Sequence, residues 1–382
     1  MIPYSNLFFF YVLLITLIPA IILGLSGRCI KKYGILLNIF ILILIFGNSK
    51  RQILSLILFY LFELILVKLY IYIRKTNNSR WLLRVMILFS IAPLLLVKFG
   101  LIFIKTPFGF LGISYLTFKS VQILIETFDN LIKEISIIDF SYFLLFFPTI
   151  SSGPIDRSRR FISDINKCLT SAEYSDYLRE GLFKVFLGLL YKFVLGVLVF
   201  NLWLNKIPLD HRFTHVLNYM YAYSLYLFFD FAGYSSIAVG TSYVLGVKTP
   251  DNFNKPFISK DIKEFWNRWH MSLSFWFRDF IYTRFVMIAM KKKWFKSRYT
   301  ASYIGYLITM TTMGIWHGTE IYYILYGIYH GLLIILTDFC QRKSRWYKRV
   351  KNKLQWDLAF IIINFHVVAF GFLVFSGILF KK

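Results

Sequence analysis

LFFFYVLLITLIPAIILGLS (7–26) runs twenty residues without a charge, enough for a helix to cross a hydrocarbon core of about 30 Å. It lacks a basic leading region and a small-residue cleavage site, so it reads as a first retained helix and not a signal peptide. Working outward, further apolar runs punctuated by charge occur near 34–48, 53–73, 85–104, 109–125, 140–150, 182–203, 216–246, 301–316, 321–338 and 356–379. Several fall short of the roughly 20 residues that a straight crossing needs. Those are expected to be re-entrant or packed inside protein, where irregular backbone is tolerated. The pattern predicts an all-α polytopic membrane protein with about ten or eleven transmembrane helices plus short re-entrant or interfacial ones. No repeat and no long polar linker divides the chain, so 1–382 is expected to form a single membrane-embedded domain.

Composition points the same way. Of 382 residues, 58% are apolar and 16% charged, whereas soluble domains are about half apolar and a quarter charged. The excess requires a solvent other than water. The formal charge of +25 sits in Lys and Arg between apolar runs. In a soluble chain that would suggest nucleic acid. Here cytoplasmic loops account for it, being enriched in Lys and Arg and attracted to anionic headgroups of membrane lipids. No nucleic-acid partner is expected, and an acidic soluble partner fits the same loops. Cys29, Cys168 and Cys340 are widely spaced, without a metal or redox pattern. They are expected to be ordinary small apolar residues.

The basic loops set an orientation. Arg28, Lys31 and Lys32 follow the first run, and Arg74, Lys75, Arg80 and Arg84 the third. Both clusters face the cytoplasm if the amino terminus lies outside. Two denser clusters, Arg278 to Arg298 with Lys291-Lys292-Lys293, and Arg342 to Lys353, are expected there too. Between them stand two apolar runs joined by His317-Gly318-Thr319-Glu320. If both runs cross, that turn lies in the outer half of the membrane or beyond. The basic pairs at 50–51 and 381–382 fit this scheme less well.

Histidine suits proton transfer because its ordinary pKa lies near working pH. Of the six here, His211 and His215 sit in a polar stretch and read as solvated loop residues. His366, alone in an apolar run, reads as a core histidine bonded to a neighbour, and His330 has either a packing or a direct role. His270 and His317 stand apart. On a continuous helix at about 100° per residue, KEFWNRWHMSLSFWFRDF (263–280) gathers Phe265, Trp266, Trp269, Leu273, Trp276, Phe277 and Phe280 into one arc. His270, Lys263, Ser274, Asn267 and Arg278 fall in a second arc. Such a helix either lines a wet cavity or lies in the interface with its aromatics at headgroup depth. His317 follows TMTTMGIW and precedes a glycine. An ionisable group at membrane depth suggests function, while a histidine at a water-exposed helix end is the plainer reading. Neither histidine has a second ligand at metal spacing, so no metal site is expected.

FWNRWHMSLSFWFRDFIY, with GIWHGT placing a second histidine 47 positions after the first, resembles the membrane-bound O-acyltransferase family. LGISYLTFK (111–119), FFPTISSGPIDR (146–157), LFFDFAGYSSIAVG (227–240) and NFNKPFISKDIKEFWNRWH (252–270) resemble its branch that acts in D-alanylation of teichoic acid, including lipoteichoic acid of the Gram-positive cell wall. The resemblance is dense from 105 to 335 and looser in the first hundred residues.

It implies a ring of helices around a central funnel in the bacterial cell membrane. It implies a D-alanyl group carried as a thioester on the phosphopantetheine arm of a cytosolic carrier protein, with no cofactor resident in the chain itself. The acceptor is implied to be a hydroxyl of teichoic acid or of a small intermediary protein, reached from outside. His317 corresponds to the family's catalytic histidine and His270 to its companion.

The residues themselves agree with that chemistry. Transfer from a thioester to an alcohol needs a base for the incoming hydroxyl, which a neutral imidazole supplies, and apolar burial favours that form. Asn267, Ser274 and Arg278 are candidate substrate-lining residues. The short apolar segment 281–290 lies between basic residues, so Val286, Met287 and Met290 are candidate contacts for an acidic carrier steered by the flanking cations. A plain interfacial helix with snorkelling lysines is the other reading of that segment. Two rivals remain: an enzyme of the same family acetylating an exported polysaccharide, and a transporter or flippase. The second would show symmetric halves, which this sequence lacks.

Overall fold

The computed structural model describes residues 2–103, 109–210, 212–351 and 353–380, and the regular elements among them are all helical. Of the residues discussed above, His211, Lys381 and Lys382 lie outside this set. The helices gather into two compact units, Met1–Gly188 with Tyr234–Pro250, and Leu189–Gly233 with Asp251–Lys382.

The first unit holds α1 (Leu7–Leu25), α2 (Lys31–Phe46), α3 (Lys50–Arg74), α4 (Arg80–Phe103), α5 (Ile113–Phe128), α6 (Ile137–Leu144), α7 (Ser158–Asn166) and nearly all of α8 (Ser171–Leu189). α1 starts where the Asn6 side chain accepts from the Phe9 N–H at 2.8 Å, a polar cap on an otherwise apolar helix. Leu13, Leu17 and Ala20 are buried while Leu14, Ile18 and Ile22 are exposed. One face meets protein and the other needs lipid.

α5 is the opposite case. It is buried nearly from end to end and carries Lys119, Gln122 and Glu126 inside. Lys119 Nζ donates to the Phe143 carbonyl at 2.9 Å, and the Ser158 hydroxyl donates to Glu126 at 2.9 Å, as buried charged groups require. This is a short apolar run packed inside protein.

The cysteines correct the sequence reading. Cys29 and Cys168 form a disulfide, and only Cys340 is free. The pair is 139 residues apart, and it is brought together where the α1–α2 turn meets the α7–α8 loop. Beside it, Lys31 and Asp139 pair at 2.5 Å.

Six helical stretches among the described residues are long and apolar enough to cross a membrane by length and composition: Leu7–Leu25, Lys50–Arg74, Arg80–Gly100, Ser171–Lys206, Ile321–Lys343 and Leu354–Phe375. The fourth runs from α8 through a π-helical turn, Leu190–Gly196, into α9 (Val197–Leu202). Among the described residues the chain is all-helical, and it is a multi-pass membrane protein, as its composition indicates.

The second unit begins with that turn and α9 and takes in the first part of α10 (Phe213–Val244), a helix that passes into the first unit after Gly233. It continues with α11 (Ile262–Trp266), α12 (Met271–Phe277), α13 (Thr283–Lys291), α14 (Arg298–His317), α15 (Ile321–Lys343), α16 (Arg345–Val350) and α17 (Leu354–Phe375). α14 and α15 form a tight hairpin through Gly318–Glu320. A Cβ at Gly314 would overlap the Tyr323 carbonyl oxygen and lie 3.3 Å from Gly327 Cα. Two glycines therefore let the backbones touch, a device common between membrane helices. α17 lies on α15, where the Tyr329 hydroxyl donates to the Val367 carbonyl at 2.9 Å.

Three further expectations differ from the structure. Residues 263–280 do not form one helix. α11 ends at Trp266, His270 adopts a left-handed backbone (φ 45°, ψ 49°), and α12 starts anew at Met271 before a π-helical turn over Arg278–Tyr282. The single polar stripe drawn through Lys263, Asn267, His270, Ser274 and Arg278 therefore does not exist as such. His215 is not a loop residue: it lies in the first turn of α10, with its Nδ1 2.6 Å from Asp210. His366 does bond a neighbour, the Ile362 carbonyl at 2.7 Å, but on an exposed face.

Candidate active site

The break before α12 is what presents His270. A non-glycine residue with positive φ is uncommon and costs about 1–3 kcal/mol, so the surroundings must impose it. They do so through Asn252. Its carbonyl accepts from the Met271 N–H at 2.9 Å, and its side-chain oxygen accepts from the Ser272 hydroxyl at 2.6 Å. The Asn254 N–H donates to the Arg268 carbonyl at 2.9 Å, closing the other side of the turn. Asp261 caps α11 by accepting from the Lys263 and Glu264 N–H groups, and Lys263 ties that helix to α15 through Asp338 at 2.9 Å.

His317 is the last residue of α14. That helix has 20 residues, about 30 Å at 1.5 Å per residue. His317 therefore lies roughly one hydrocarbon thickness from the basic end at Arg298. Its ring is half-buried among aromatics, 4.9 Å from Phe375 and 6.2 Å from Tyr326 between centroids. His270 is 4% exposed and 4.7 Å from the Phe231 ring. It lies outside the six crossing helices, and burial, followed by the nearby His317, pushes its imidazole down from 6.5 to about 3. It is held as the neutral ring.

The two histidines, 47 residues apart in sequence, line one cavity of ≈60 Å³ with Phe231, Trp269, Tyr326 and Phe375. A second cavity, of ≈200 Å³, is lined by Asn267, Ser274 and Arg278 together with Lys263, Tyr282 and Tyr306. Trp266 and Met313 line both. The structure thus brings His270 to His317, and groups Asn267, Ser274 and Arg278 in the adjoining chamber. The Ser274 hydroxyl donates to the Trp269 carbonyl at 3.1 Å, and Arg278 lies 4.5 Å over the Phe275 ring while pairing with Asp279 at 2.9 Å.

The three candidate docking residues separate. Met287 and Met290 are 65% and 44% exposed on α13. Val286 is half-buried, its side chain set against Gly305 of α14. His330 is fully buried in the second unit, 5.3 Å from the Trp266 ring and 4.5 Å from Tyr326. Among the described residues no three His, Cys, Asp or Glu side chains gather into a metal-binding set.

Sequence reasoning missed Asn252, Trp266, Met313 and Tyr326 as parts of this site. Asn252 had a signal, since it opens the familiar stretch 252–270. The others look like ordinary apolar positions. Chemically, the arrangement offers a neutral imidazole and a second histidine in a small space, next to a larger space with cationic and hydroxyl groups. That suits proton transfer from a hydroxyl to a base beside a compact acyl group.

The model of the membrane-bound O-acyltransferase family matches residues 113–377. The chain is 46% identical to the teichoic acid D-alanyltransferase of Bacillus subtilis (strain 168), covering 99% of this chain and 98% of that protein. It is 40% identical to the teichoic acid D-alanyltransferase of Streptococcus thermophilus, over 99% and 95% of the two chains. A probable alginate O-acetylase of Pseudomonas aeruginosa is 30% identical over 70% of this chain and 48% of its own length.

Proposed function

We infer that this chain, which belongs to the membrane-bound O-acyltransferase family, D-alanylates teichoic acid. It is an acyltransferase and a multi-pass protein of the bacterial membrane. In this reading residues 1–382 work as one membrane-embedded domain. The donor is a D-alanyl thioester on the phosphopantetheine arm of an acidic cytosolic carrier protein, which docks at Met287 and Met290 with Val286 beside them. The acceptor is a hydroxyl of teichoic acid or of a small intermediary protein, arriving from the opposite side.

One observation carries the reading: His270 and His317 share a ≈60 Å³ chamber that adjoins a ≈200 Å³ chamber with Lys263 and Arg278 in its lining. The larger chamber suits an arm with a phosphate at one end and a thioester at the other, its cations meeting the phosphate. Asn267 and Ser274 offer the amide-rich arm hydrogen-bonding groups. The smaller chamber receives the acyl carbon.

The reaction then follows from the groups present. His317 takes the proton of the acceptor hydroxyl as its oxygen attacks the D-alanyl carbonyl. His270 orients the reactants or donates a hydrogen bond to the developing oxyanion. Collapse forms the ester and breaks the C–S bond, and the proton held by His317 passes to the departing thiolate. The arm leaves as a free thiol.

Proteoliposomes supplied with carrier bearing either D-alanyl or acetyl thioester test the reading. Consumption of the D-alanyl form, with label appearing on the hydroxyl acceptor, is the expected result. Consumption of the acetyl form alone would assign the chain to acetylation of an exported polysaccharide instead.

A further inference from the structure

The two chambers meet at a pair of side chains. Along α14, Tyr306, Thr309 and Met310 line the larger cavity, Met313 lines both, and His317 lines the smaller. Thr309 and His317 are about 12 Å apart along the helix axis, so Met313 stands midway on the path between the chambers. Trp266, at the end of α11, closes the same boundary from the opposite element.

Both side chains are held. Met313 is 2% exposed and Trp266 7%. Trp266 is backed edge-on by His330, with rings at 84° and centroids 5.3 Å apart. His330 has no room to retreat, because a Cβ on Gly371 would strike its Nε2. Its two ring nitrogens and the Trp266 indole N–H have no hydrogen-bond partner among the described residues. Unsatisfied buried groups of this kind are rare, and here they back a wall that faces a cavity.

The volume beyond the wall is small. A cavity needs at least about 10–15 Å³ to hold one water, so ≈60 Å³ takes only a few. An engineered apolar cavity of about 150 Å³ in another protein holds one benzene. The histidine chamber therefore has room for a two- or three-carbon acyl group and little more.

We propose that Trp266 and Met313 form a size-selecting wall that limits the acyl group reaching His317 to the dimensions of alanyl. The proposal rests on the functional reading above and names what fixes its donor. The arm must pass between these side chains, and whatever it carries must fit on the far side. Adding a methylene in such a pocket typically costs a factor of about 10–200 in specificity.

The test measures transfer by the full-length protein in proteoliposomes, using carrier loaded with D-alanyl, D-2-aminobutyryl or D-valyl thioester. Native protein should favour D-alanyl over D-2-aminobutyryl by at least about tenfold. Met313→Ala, and independently Trp266→Phe, should raise the ratio of larger to smaller acyl group by about tenfold or more. Met313→Val serves as a milder variant should alanine impair folding, with carrier pull-down reporting integrity. A ratio unchanged from native in the folded variants, or equal loss of all donors, overturns the wall. Failure of native protein to use D-alanyl carrier at all would instead overturn the reading of function.

Discussion

Replacing Gly314 with alanine tests whether the α14–α15 contact fixes the position of His317. Gly314 lies three residues before the histidine, and its added Cβ would overlap the Tyr323 carbonyl oxygen while sitting 3.2 Å from the Tyr323 carbonyl carbon and 3.3 Å from Gly327 Cα. Everything it meets is backbone, so no side chain can swing away and the helices must part. Overpacking of this sort costs about 1–3 kcal/mol. Separation at this level also displaces His317 against Phe375 and Tyr326, and a shift of about 1 Å can lower a rate about 100-fold. Gly331→Ala is the internal control. It lies on the same interface, but its nearest contacts are 3.3 Å to Leu307 and 3.4 Å to Met310, which a few tenths of an ångström relieve. The assay is D-alanyl transfer in proteoliposomes, with thermal unfolding in detergent and carrier pull-down alongside. Gly314→Ala should lose most transfer and some thermal stability but keep carrier binding, while Gly331→Ala stays within a few-fold of native. Native transfer by Gly314→Ala, or equal damage from both, would refute the positioning argument.

Three other perturbations have defined outcomes. Met287→Asp or Met290→Asp, on the exposed side of α13, should abolish carrier capture in a pull-down without lowering thermal stability. Val286→Asp should lose both, because its side chain lies against Gly305; retained capture in all three would remove the docking surface. Alkylation followed by mass mapping should modify Cys340 directly, and Cys29 and Cys168 only after reduction; direct labelling of all three would contradict the disulfide. Because the folded state holds the His270 imidazole at about 3 against 6.5, the unfolded chain binds a proton between those values that the folded protein excludes. Stability therefore rises with pH through this window and falls on acidification. His270→Phe should flatten that part of the thermal-midpoint profile, and an unaltered slope would speak against the burial argument.

What the sequence made legible follows from the physics of each feature. The apolar run at 7–26 is read directly, because the solvent alone requires it. His270 and His317 are readable as chemistry, since few other side chains move protons near neutral pH. The break at His270 was hidden because aromatic residues continue on both sides of it: Phe265 and Trp266 on α11 and Trp276 and Phe277 on α12 are all buried. A periodic pattern survives even though the helix does not. The device that imposes the break, Asn252, lies 18 residues before His270 and outside any helical window. The Cys29–Cys168 pairing and the place of Trp266 and Met313 in the lining of both cavities arise only in the tertiary structure. Each joins residues whose spacing carries no local signal.

In the proposed reaction His317 is the base for acyl transfer. Its most direct test follows radiolabelled D-alanine from the carrier to the hydroxyl acceptor in proteoliposomes, comparing native protein with His317→Ala. Transfer should fall by about 10²–10⁴-fold, with protein level and carrier binding unchanged. Transfer by the variant at the native rate would contradict it.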